Sequence, residues 1–133
     1  MNNTRLPHKG LTLIELLIAM SFLAVVLSGL LALFISCAFL NDANRNLMIA
    51  TSHVQFAMEE VKANIFAGIS PNYNGLCWDS AAITGKGLSP LANETLCFSV
   101  TGTDELDVTV TGNWTDLRSR ARSTALETII SEP

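Results

Sequence analysis

Between Leu11 and Leu40 the chain has no lysine, arginine, histidine, aspartate or proline, and Glu15 is its single charged residue. That deficit excludes a surface helix with a polar face. As a helix the run would be about 45 Å long, and about 20 residues already cross a bilayer core. The apolar region of a secretory signal peptide is shorter, about 7–15 residues. Elsewhere the scarcities are chemical. The histidines are His8 and His53 alone. No glycine-rich phosphate loop, nucleophile elbow or HExxH helix is present. Catalysis is left without its usual groups, and we expect no enzyme. Eight basic residues face twelve acids, for a net charge of −4. Nucleic-acid binding needs a basic surface, so no nucleic acid is expected. Repeats and low-complexity tracts are absent too.

Arg5, His8 and Lys9 stand before the run, with no acid among them. Positive charge stays cytoplasmic, which places the N-terminus inside and the remainder outside. Pro7 and Gly10 keep the leader from continuing the helix. Three processing sites compete. One is a signal-peptidase cut at Ser36-Cys37-Ala38, against which the excess length argues. Another is a lipoprotein cysteine at Cys37, for which Phe34-Ile35-Ser36 is a poor match. The third is cleavage at the inner edge of the membrane, after Gly10. A carboxylate inside such a segment costs roughly 2.5–3.5 kcal/mol at mid-helix, less near an end, so Glu15 needs a partner.

Gly10-Leu11-Thr12-Leu13-Ile14-Glu15-Leu16, behind its short basic leader, closely resembles the cleavage and methylation site of type IV prepilins and type II secretion pseudopilins. The resemblance implies that a membrane aspartyl peptidase, the prepilin peptidase, cuts between Gly10 and Leu11 and methylates the new amine of Leu11. Glu15 becomes the fifth residue of the mature chain. Its carboxylate would face the amine of a neighbouring subunit in a filament, which relieves the burial of both charges. Leu11 stands where the family most often has phenylalanine. Gly29 lies where many major pilins carry a proline, so the chain is more similar to a minor subunit. The implied partners are the prepilin peptidase, other pilin or pseudopilin subunits and the bacterial inner membrane, with the head periplasmic. No cofactor is implied.

The expected organisation is a cleaved leader at 1–10, a transmembrane and assembly helix at 11–40, an amphipathic helix half at 41–68 and a small β head at 69–133. Leu47, Ala50, Val54, Ala57 or Met58, Val61 and Ile65 recur at spacings of three and four, a narrow apolar stripe. Gly68 and Ser70-Pro71 should end one long helix near Ala67. Ile69–Asn93 reads as irregular. Strands are expected at Glu94–Val100, Glu105–Trp114 and Ser119–Ile130, an antiparallel sheet whose apolar face is covered by the helix stripe. The fold class is therefore α+β. Val108-Thr109-Val110-Thr111 with Trp114, Arg120-Ala121-Arg122-Ser123 and Leu126-Glu127-Thr128-Ile129-Ile130 look similar to the end of PilV-type minor pilins and I-type minor pseudopilins. Gly112-Asn113 departs from that pattern and reads as a bulge.

Cys77 and Cys97 lie in the external part, where an oxidising compartment permits a disulfide. Closing that loop would stabilise by about 3 kcal/mol in the chain-entropy model, and a small head needs a staple. The alternative is two free thiols. Without nearby histidines they make no zinc site. Trp78 would cover the disulfide, and Cys37 is a small hydrophobe in helix packing. His53 reads as an exposed or interfacial side chain. Arg118, Arg120 and Arg122 would share one strand face, either solvated and paired with acids across the sheet or docking an acidic neighbour subunit. Major pseudopilins bind calcium near the C-terminus, and Asp104, Glu105 and Asp107 could begin such a site; solvated acids are the plainer account, and no metal is expected. The rival functions are a signal-anchored periplasmic binding or adhesion module that does not polymerise, and a secreted enzyme.

Overall fold

The computed structural model describes residues 12–132. The chain divides into two units, residues 1–40 and 41–133. The first consists, where described, of the apolar part of helix α1 (Leu13–Lys62). Every side chain from Thr12 to Leu40 is exposed, among them Leu13, Phe22, Val25 and Phe34 at 70% or more. Such a surface needs lipid or other helices around it. Its few hydroxyls turn back on the rod. Ser21, Ser28 and Ser36 donate to the carbonyls of Leu17, Val25 and Ala32 at 2.8–2.9 Å, so they add no unpaired donor to an apolar surround.

In the second unit the later part of α1 lies on an antiparallel sheet. Ala50, His53, Val54, Ala57, Met58 and Val61 are buried. The sheet has the order β1-β2-β3-β4, with β1 at Cys77–Trp78, β2 at Thr95–Thr101, β3 at Glu105–Thr115 and β4 at Ala121–Ser131. The three longer strands fall where the alternation of apolar and polar residues predicts them. Leu96, Phe98 and Val100 from β2 and Leu106, Val108 and Val110 from β3 point to the helix and close the core. The α+β class and the helix-on-sheet packing are as expected.

Several local features differ from expectation. The long helix ends at Lys62 rather than near Ala67. Asn64 causes the early stop: its side-chain amide donates to the Glu60 carbonyl and to the Tyr73 hydroxyl, both at 2.8 Å. Ile65 is then extended (φ −65°, ψ 142°), and a separate helix α2 (Phe66–Tyr73) carries Gly68 and Pro71 inside it. Two turns of helix tolerate the one hydrogen bond that Pro71 removes. The Ile69–Asn93 stretch is not irregular throughout. It holds the end of α2, strand β1 and helix α3 (Ser80–Gly85), which Asp79 caps by accepting the Ala82 N–H at 2.8 Å.

Gly112-Asn113 makes no bulge. The ladder runs unbroken through Gly112, paired to Leu96 and Thr124, and Asn113, paired to Thr95 and Ser123. Glycine is needed there for space. A Cβ would lie 2.9 Å from Val54 Cγ2 and 3.1 Å from Leu96 Cδ2, so Gly112 lets α1 approach the sheet. Gly112→Val should lower head stability by about 1–3 kcal/mol, the usual cost of overpacking. Chemical denaturation followed by tryptophan fluorescence checks it, and an unchanged midpoint would show that the helix yields freely.

Candidate functional site

Gly10 and Leu11, the expected processing residues, lie outside the described residues. The site is described from Thr12 onward. Thr12 precedes the first helical residue, and its hydroxyl accepts the Glu15 N–H at 3.4 Å. The Glu15 carboxylate returns the contact: Oε2 accepts the Thr12 N–H and the Thr12 hydroxyl, both at 3.1 Å. This is a reciprocal capping box, which satisfies donors at the helix start that have no partner within the helix. Negative charge in the first turn also complements the helix dipole. Glu15 thus has a partner in its own chain. Thr12-Leu13-Ile14-Glu15 spells the capping box in the sequence itself.

Cys77 and Cys97 sit directly opposite each other on β1 and β2 and form a disulfide, with Cα atoms 4.1 Å apart. Trp78 does not cover it. Neighbouring residues of a strand point to opposite faces, so Cys77 is exposed while Trp78 turns into the core. There Trp78 meets Phe98 edge-on at 4.8 Å, and Lys86 lies 4.9 Å from its ring. Lys86 also pairs with Glu60, which ties α3 to α1.

His53 is not exposed. It is 5% accessible, and its Nδ1 lies 2.9 Å from Oε1 of Glu94, which is fully buried. Glu94 Oε2 accepts the Leu91 N–H at 2.6 Å, and the Glu94 carbonyl accepts the Ser80 hydroxyl at 3.1 Å. Glu94 therefore joins α1 and the entry to β2 through its carboxylate, and the start of α3 through its carbonyl. Its burial is that of a structural connector, away from solvent and substrate alike.

The three arginines do not share one strand face. They gather on Asp116, at the turn between β3 and β4. Asp116 Oδ1 accepts the N–H groups of Arg118 and Arg120 at 2.9 and 3.0 Å. Oδ2 accepts from the Arg120 guanidinium at 2.8–2.9 Å and from Arg122 Nε at 3.3 Å. Ser119 takes a left-handed conformation (φ 57°) to close the turn. The backbone N–H of Arg120, then the Arg120 guanidinium, the Arg118 N–H and the Arg122 guanidinium hold the carboxyl well below its usual range, against the opposing effect of burial.

The sign of the pH dependence follows. A depressed carboxyl stabilises the fold fully above its unfolded value, near pH 4, and loses that contribution only as pH falls through the lower folded value. The amide resonances of Arg118 and Arg120 should therefore stay fixed from neutral pH down through the ordinary carboxylate range. Asp116→Ala should disperse both at neutral pH. Movement of the wild-type resonances near pH 4 would contradict this.

Asp104, Glu105 and Asp107 are all exposed. Among the described residues, no group of three histidine, cysteine or acidic side chains is placed to hold a metal.

A capped, fully exposed apolar helix and a head of helix on antiparallel sheet define a pilin-like α+β architecture. Residues 5–35 match the family described as the prokaryotic N-terminal methylation motif. That match supports the pilin and pseudopilin family, and with it processing by a peptidase and assembly with other pilins. It also points to a structural protein, and with the apolar helix it fits a membrane-anchored one. No curated protein and no solved structure matches the chain.

Proposed function

We propose that this chain is a minor pilin-like structural subunit, of the PilV or I-type minor class. It is cut between Gly10 and Leu11 by a prepilin peptidase, methylated on Leu11 and stored in the bacterial inner membrane. From there it is assembled into a type IV pilus or a type II secretion pseudopilus. Residues 1–10 are the leader, 11–40 the membrane and assembly helix, and 41–133 the periplasmic helix half and head. It works as a building block, without cofactor or catalysis.

The observation that carries the proposal is the methylation-motif match over residues 5–35. The exposed apolar helix and the disulfide in the head support it. In a filament the apolar helix halves pack in parallel, through a head-to-tail interface that does not close and so generates a helix. Both Thr12 bonds use Glu15 Oε2. A carboxylate has about four lone-pair sites, so Oε1 keeps room for the amine of a neighbouring subunit.

The test is the intact mass of protein extracted from membranes of a host with an active prepilin peptidase. The expected mass lacks residues 1–10 and carries one added methyl group. Gly10→Val should block the cut and leave the full-length mass. Wild-type protein that keeps its first ten residues would instead be a signal-anchored periplasmic module, and a cut near Ala38 would mean a secreted protein.

A further inference from the structure

Four of the six cations of the head are gathered at one end; Lys62 closes α1 at the other, and Lys86 pairs with Glu60. Of eight lysines and arginines, Arg5 and Lys9 precede the apolar run, and four of the remaining six are Arg45, Arg118, Arg120 and Arg122. Arg45 is five residues past Leu40. The other three belong to a turn that lies beside the same part of α1: Trp114, Asp116 and Arg122 line a crevice of about 210 Å³ with Ala43, Asn44 and Leu47. The acids at this end are already engaged, Asp42 by Asn46 and Asp116 by the arginines.

The register fixes what lies at the other end. β3 and β4 pair over eleven residues, so Glu105 faces Ser131, with Asp104, Asp107 and Glu132 close by in sequence. A strand of that length spans about 35 Å. At that end Ile130, Ser131 and Glu132 share a groove with Asn64, Phe66 and Ile69. The charge of the head is thus uneven along its length, with four cations beside residues 43–47, and with Asp104, Glu105, Asp107 and Glu132 outweighing Lys62 beside residues 64–69.

Chain distance gives this polarity a meaning. Three residues separate Leu40 from Ala43, at most about 11 Å even when fully extended. The Leu11–Leu40 run, about 45 Å as a helix, matches the 40–45 Å thickness of a bilayer with its headgroups. Ala43–Leu47 therefore emerges at headgroup level. At the tip of the turn Leu117 is 72% exposed. Arg120 and Arg122 keep side-chain exposures of 53% and 45% while bound to Asp116. An apolar tip flanked by guanidinium groups suits a lipid interface, with the leucine at the acyl boundary and the cations on phosphates.

We propose that the Asp116–Arg122 turn is a lipid-contact surface that docks the near end of the head on anionic phospholipid headgroups. The proposal rests on the apolar run being a membrane span, as argued above. Asp116 fixes the geometry of Arg120 and Arg122.

The test uses the full chain with its disulfide intact. Leu117→Cys in a Cys37→Ala background carries a fluorophore, and the protein is reconstituted into phosphatidylcholine vesicles with or without phosphatidylglycerol. A lipid-borne quencher is present throughout. Quenching at position 117 should be about fivefold or more stronger with phosphatidylglycerol. It should vanish near 1 M salt, where screening acts within about 3 Å. Val26→Cys in the same background reports the span itself. If position 26 is not quenched, the membrane span is wrong and the lipid contact falls with it. If position 26 is quenched while 117 is not, or if 117 ignores lipid charge, only the lipid contact is overturned. Protection at 117 that rises with the protein-to-lipid ratio, whatever the lipid, would assign the turn to an acidic neighbour subunit and likewise overturn it.

Discussion

Glu94→Ala should destabilise the head by about 3–5 kcal/mol, the range for removing one member of a buried pair. Glu94 is fully buried, and His53 is 5% exposed. With Glu94 gone, the Leu91 N–H loses its acceptor and the His53 ring nitrogen its partner. Each unmatched buried donor or acceptor costs about 1–3 kcal/mol, and the lost side chain leaves a cavity as well. Against a total stability of about 5–15 kcal/mol for a domain, the effect is severe. The double variant His53→Leu with Glu94→Leu should be milder than Glu94→Ala alone, because replacing both partners leaves only the Leu91 N–H unmatched. Urea unfolding in detergent reads both, since Trp78 and Trp114 are buried in the same head. A loss below about 1 kcal/mol for Glu94→Ala would show that water replaces the carboxylate freely.

This pair also marks where sequence reasoning stops. The strands β2, β3 and β4 were legible because alternation is a local pattern and each runs at least seven residues. β1 has two residues and α3 six, too few for any period to declare itself; Cys97 and Asp79 hold them in place. The buried positions of α1 are Ala50, His53, Val54, Ala57, Met58 and Val61, the spacing of a wide apolar face. His53 lies squarely within it. It reads as exposed only when polarity is weighed above position, and its partner is 41 residues away.

Two other signals were local and readable. Thr12-x-x-Glu15 spells a capping box. Asp116 followed at two and four residues by donating N–H groups is the side-chain turn that aspartate favours, whereas an extended strand from Ser119 was expected. The helix end was misplaced for the opposite reason. Gly68 and Pro71 are breakers by type, yet Asn64 had already closed the long helix by taking the Glu60 carbonyl. The position of a breaker has meaning only after the preceding hydrogen bonds are assigned.

Glu15→Gln should leave processing largely intact and reduce incorporation into filaments by on the order of tenfold or more, and Glu15→Ala should do at least as much. The glutamine variant separates the proposed assembly role of Glu15 from its role as a helix cap. In the described chain Glu15 closes a capping box with Thr12. Glutamine serves at that position too, since its carbonyl accepts the same N–H. The helix start is therefore preserved. What glutamine removes is the negative charge, which a cap needs little and a neighbouring amine in an apolar surround needs greatly. Every tenfold corresponds to about 1.4 kcal/mol, and losing one partner of a buried charge pair costs more than that. Thr12→Ala is the converse probe. It removes the hydroxyl half of the box, worth about 0.5–2 kcal/mol at the helix start, but keeps the carboxylate. Thr12→Ala should incorporate nearly as wild type. Incorporation is read by immunoblot of sheared filaments against membrane-retained subunit, and processing by intact mass. Normal incorporation of Glu15→Gln, with Thr12→Ala defective, would make Glu15 a helix cap alone and would remove the charge from the assembly step.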